Sequence, residues 1–172
     1  ALGMTRTELR HRIGCGVEAL ANPNDITLYD LGLLHTQVAN GYLGTWRDEF
    51  YDHMSNSLTW GGLSTVVDDE AASLNLSAAA ITSFKAQMYV ASKGGSYGLG
   101  DGSYRSGFGY VRVPFLNGNV LAEREFAVGA FVARTTDGGS GTTAVNLAIA
   151  AMMRPQLREA LQTWDVTAVA VP

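Results

Sequence analysis

Residues 93–118 read KGGSYGLGDGSYRSGFGYVRVPFLNG, and the fold turns on how this stretch is interpreted. As far as Tyr110 it holds seven glycines and four aromatic rings. Beyond that its character changes. Val111, Val113 and Phe115 alternate on one side of an extended chain, and Asn117-Gly118 follows, a dipeptide that tolerates positive φ at both positions and so favours a tight β-hairpin turn. The return limb is NVLAEREFAVGAFVART. There Phe126, Val128, Ala130 and Val132 alternate as in a strand, while Leu121, Val128 and Phe131 also suit a helix; the turn demands a partner, so a strand is expected.

The glycine-rich part poses a different question: a ligand-cradling loop, a flexible spacer, or a segment that orders against other protein. Fixing glycine backbone is entropically expensive. Burying Tyr97, Tyr104, Phe108 and Tyr110 offsets that cost only if nearly all of their surface leaves water. A domain whose own core is full achieves this most readily against another copy or a partner. These four rings, with Asn117 and Gly118 at the hairpin tip, are therefore the candidate interaction residues.

Upstream, Thr5-Arg6-Thr7-Glu8 fits a capping box, and Leu9, Ile13, Val17 and Leu20 recur at helical spacing, predicting a first helix. Asn22-Pro23-Asn24-Asp25 is turn chemistry, and Thr27-Leu28-Tyr29-Asp30 repeats the capping pattern. Leu31, Leu34, Val38, Tyr42, Trp46 and Phe50 then step by three or four residues, predicting a long amphipathic helix to about residue 54 whose apolar face forms the core. Residues 57–67 suit a strand or an irregular connection. Ser77 precedes a third helix, with Ile81, Phe84, Met88 and Ala91 on one face and Gly94 as its stop. Downstream, Thr135 to Thr143 reads as an open loop. Residues 144–154 fit helix or strand, and Pro155 either kinks that segment or opens a new helix through Leu157, Leu161 and Trp164. The end, VTAVAVP, reads as a short strand able to add to another sheet, which makes Val169 and Val171 candidate contacts.

The chain has 172 residues and is 47% hydrophobic, enough for a single domain over residues 1–172 with its own core. Charged residues form only 16% while glycine occupies 20 positions, which leaves a surface suited to protein contact. A net charge of -4 without a basic run argues against nucleic-acid recognition. The lone Cys15 reads as a buried thiol. No apolar run approaches the length of a membrane span, and ALGMTRTELR lacks a signal-peptide layout, so neither membrane insertion nor export is expected.

Catalytic patterns fail on inspection. Gly94-Gly95-Ser96-Tyr97-Gly98 matches a nucleophile elbow, but the histidine base should follow the serine, and His11, His35 and His53 all precede it. Gly98-Leu99-Gly100-Asp101-Gly102 lacks the lysine and following helix of a phosphate cradle. Glu49 with His53, and Asp48 with Asp52, are half-sites for a metal, and His35 lies about 27 Å up the same predicted helix. Asp68-Asp69-Glu70, Glu123 and Glu125 read as solvated charge, with Glu123-Arg124-Glu125 guarding a sheet edge. No enzymatic activity, cofactor or metal is expected.

TRTELRHRIGCGVEAL and NDITLYDLGLLHTQVANGYLGTWRDEF, in the N-terminal third, resemble the helical opening of head-to-tail connector (adaptor) proteins of tailed bacteriophages. The likeness lies in a short first helix leading to a longer amphipathic one, and in helices combined with an extended hairpin. It implies a ring-forming homo-oligomer between portal and tail, a virion component assembled in host cytoplasm, without catalytic residues. Other virion roles, capsid decoration or tail, share the same physics. A small enzyme or ligand-binding module with the glycine stretch as a lid is the rival. The expected architecture is α+β: a bundle of three or four helices with a β-hairpin and a short C-terminal strand.

Overall fold

The structure, a computed structural model, describes residues 2–10, 24–118 and 120–164. The body of the first expected helix with His11 and Cys15, the Asn22-Pro23 turn, and the terminal strand with Val169 and Val171 lie outside the described residues. The chain divides into two compact units, Ala1–Asp48 and Glu49–Pro172.

In the first unit Glu8 and Asp25 form an antiparallel bridge, each N–H reaching the other's carbonyl at 2.8 and 3.0 Å. Glu8 is thus in extended pairing, where the sequence suggested the first turn of a helix. Arg10 clasps the bridge through Glu8 and Asp25, at 2.6 and 2.8 Å. Helix α1, Leu28–Ala39, begins as expected at Thr27, whose hydroxyl accepts the Asp30 N–H. The buried Asp30 carboxylate does not reach back to the cap but accepts the N–H of Arg6 at 2.8 Å. His35 is buried, and burial pushes its pKa down to about 4, so it is neutral at pH 7.

The long helix expected to residue 54 is broken. Tyr42 N–H bonds the Gln37 carbonyl and Gly41 N–H that of Val38, while Gly41 takes φ 89°, a Schellman turn that closes α1. A 3-10 turn, Gly44–Trp46, and helix α2, Arg47–Asp52, follow. Tyr42 and Trp46 are consequently solvent-exposed and do not join a core.

In the second unit residues 57–59 are an irregular connection, one of the two expectations for 57–67, but the rest is helical: a 3-10 turn, Trp60–Gly62, runs into helix α3, Leu63–Ser73. Helix α4, Ala78–Gln87, is capped by Ser77, which accepts the Ala80 N–H. It stops at Met88, well before Gly94, because the chain turns into strand β1, Tyr89–Leu99. Strands β2, Gly102–Asn117, and β3, Val120–Thr135, complete an antiparallel sheet in the order β1-β2-β3. The hairpin at Asn117-Gly118 and its strand-like return are as expected, with Gly118 at φ 62°. The glycine-rich stretch is a correction. It is a second hairpin, paired from Tyr89 with Arg112 to Leu99 with Gly102, so its backbone is ordered within its own chain and needs no second one. Helix α5, Gly138–Gln162, begins inside the expected loop because Asp137 accepts the Ser140 N–H at 2.8 Å, and it continues through Pro155.

The fold is α+β, with α3, α4 and α5 against one face of the sheet. Val66, Phe84, Val111, Val113, Val128, Ile149 and Leu157 lie in this core. Glu70, taken from sequence as solvated, is buried between Arg154 and Arg158. The Arg154 hydrogen bond, opposed by desolvation and reinforced by Arg158, holds its carboxyl below the ordinary 4.5. A depressed folded-state pKa contributes stability that is present above the unfolded value and is lost as pH falls through the folded one. The urea midpoint of Glu70→Gln should therefore trail wild type most at pH 7, with the gap closing from about pH 4.5 downward. His35 titrates in both proteins and cancels. A gap unchanged down to pH 3 would show that the carboxylate charge does not matter.

Candidate functional site

Alternation along the paired strands gives the sheet two distinct faces. Gly107, Gly109, Val111, Val113 and Phe115 of β2 point to the helices, with Trp60, Val145 and Ile149 lying over the glycines. Tyr104, Ser106, Phe108 and Tyr110 point the other way, joined by Tyr97 of β1 and Phe131 of β3. All four rings singled out in the glycine-rich stretch thus share one face.

Their environments differ. Tyr110 is buried, stacked on Tyr51 with centroids 4.0 Å apart and edge-on to Tyr89 at 6.3 Å. It is a structural residue and leaves the candidate site. Phe108 lies over Gly129, which has no side chain to keep it away. Tyr97, Tyr104 and Phe131 form a row across all three strands, at 6.2 and 6.4 Å. Tyr97 is 44% and Phe131 55% exposed. The Tyr104 hydroxyl donates to Asp101 at 2.8 Å, and Arg134 pairs with the same carboxylate at 3.1 Å. Asn117 and Gly118 stand at the far end of β2, separated from this row by the length of the strand, and Val120 beside them is 67% exposed.

Phe131 escaped the sequence reading because alternation in β3 marked the even-numbered residues as apolar. Its register partner Ser106 identifies the face only once pairing is known.

Both outer strands have open edges. Residues 54–56 run beside the start of β1, with Asn56 N–H to Val90 O at 2.9 Å and Ser92 N–H to Met54 O at 2.7 Å. Past Ser92, and along all of β3, no backbone bond is made on the outer side among the described residues.

The chain matches no protein-family model, no curated protein and no solved structure.

On the helix side, a cavity of about 260 Å³ opens between β1, β2 and the start of α5, lined by Trp60, Ser96, Arg105, Thr142 and Asn146 among others. Ser96 sits mid-strand opposite Arg105, not on a strand-to-helix turn, so the elbow geometry is absent. Arg105 turns its guanidinium to the Tyr104 carbonyl and packs over Gly138 and Gly141. Glu49 and His53 approach to 3.6 Å on an exposed turn, and among the described residues no three His, Cys, Asp or Glu side chains gather as metal ligands. No described helix is long and apolar enough to cross a membrane.

Proposed function

We propose that this chain is a structural protein that assembles with copies of itself, and that its place is a ring at the head-to-tail junction of a virus particle. The observation carrying self-association is the solvent-facing row of Tyr97, Tyr104 and Phe131 on a sheet whose β3 edge, and whose β1 edge past Ser92, are unpaired among the described residues. Aromatic surface gathered on one face marks a contact site, and an unpaired edge is a template for another strand. The junctional role rests on the N-terminal likeness to connector proteins and is the finer part of the proposal. The rival, a ligand-binding module, has the cavity beside Trp60 in its favour.

Sedimentation velocity and native mass spectrometry test the assembly. A discrete multiple of the single-chain mass is expected, reduced by Phe131→Asp, which sets a charge in the ring row. A strictly monomeric wild type across the micromolar range would overturn the proposal and shift weight to the cavity.

A further inference from the structure

We infer that copies join edge to edge, β3 of one lying along residues 93–99 of β1 in the next, so that each sheet runs into its neighbour. The inference rests on the self-association proposed above and names the surfaces that make it. Strands β1 and β3 lie on opposite edges and, each being antiparallel to β2, run in the same direction. Joining unlike edges is a head-to-tail contact, which closes into a ring when the rotation per copy permits. The covering of β1 by residues 54–56 ends at Ser92, so the edge that remains begins at Lys93.

Charge favours this partner. On β3, Arg124 turns to Glu159 on α5 at 2.8 Å, while the register places the carboxylates of Glu123 and Glu125 on the ring face, Glu123 at 3.3 Å from Arg112. The exposed Lys93 lies on the same face of β1, and no carboxylate pairs with it among the described residues. Two β3 edges pairing about Arg124 would instead oppose Arg124 to Arg124 and Glu123 to Glu125. Shape agrees with charge. With Lys93 beside Glu125, the small Gly94, Ser96 and Gly98 fall beside Phe126, Val128 and Ala130, where α5 roofs β3 and leaves no room for bulk. The same register sets Tyr97 of the next copy near Phe131, extending the aromatic row from chain to chain.

Lys93→Glu and Glu125→Lys should each weaken association about tenfold or more, and the double exchange should restore it. Both side chains are exposed, and circular dichroism checks that each variant is folded. Independently, Lys93→Cys with Glu125→Cys, in a Cys15→Ser background, should form a disulfide-linked ladder on oxidation. Within one chain β2 separates the two strands by about 10 Å, beyond the ~7 Å a disulfide spans, so any crosslink lies between copies. An oligomeric wild type, indifferent to either charge reversal and giving no ladder, overturns this geometry and leaves self-association standing. A monomeric wild type overturns both.

Discussion

Replacing Phe84 by alanine will lower the thermal midpoint by about 10 °C, the consequence of losing about 3–5 kcal/mol. Phe84 is fully buried on α4 and meets Trp164 edge-on with centroids 5.1 Å apart. Deleting the ring removes its transfer free energy and leaves a cavity that α3, α5 and the sheet cannot fill without moving together. The comparison is Trp46→Ala. Trp46 is larger and sits at helical spacing with Val38 and Phe50, but it is 66% exposed, so its removal should shift the midpoint by no more than about 2 °C. Unfolding followed at 222 nm measures both. Equal shifts would place the core where sequence periodicity alone put it, along residues 31–50.

That contrast shows which signals in the chain were readable. Helix starts were, because a cap is local: Thr27 and Ser77 each accept the N–H three residues on. Asp137 does the same at the head of α5, but the glycines after it, poor helix formers, disguised the start. Helix ends were not readable. The apolar spacing from Leu31 to Phe50 continues across Gly41, and nothing in the spacing records that this glycine closes a Schellman turn. Glu70 looked solvated because its partners, Arg154 and Arg158, are 84 and 88 residues away in sequence. For the candidate site, the rings were legible as a set. Their common face, the burial of Tyr110 and the addition of Phe131 are products of strand pairing, which composition does not encode.

The glycine-rich stretch concealed its strands for a related reason. A strand is normally recognised by its own apolar side chains, whereas here the helix-facing positions Gly107 and Gly109 have none and the apolar atoms over them come from Trp60, Val145 and Ile149 on other elements. Its glycines are therefore not equivalent, and substitution should separate them. A Cβ added at Gly109 would stand 2.6 Å from Trp60 Cη2 and 3.0 Å from the Ala91 carbonyl oxygen, whereas at Gly98 nothing lies within 4 Å. Gly109→Val should drive the indole off the sheet and destabilise the protein by about 1–3 kcal/mol, a loss of about 3–8 °C. The gain in strand propensity, at most about 1 kcal/mol, is too small to reverse the sign. In the dissociated single chain, at concentrations below assembly, Gly98→Val should leave the midpoint unchanged or raise it slightly, since the unfolded chain loses freedom and the folded one meets no obstacle. Tryptophan emission supplies the second readout. Trp46 is already exposed and Trp164 lies across the core, so a red shift in Gly109→Val reports Trp60 leaving the sheet. If the two variants instead unfold together with unchanged emission, Gly109 is a spacer and Trp60 packs elsewhere.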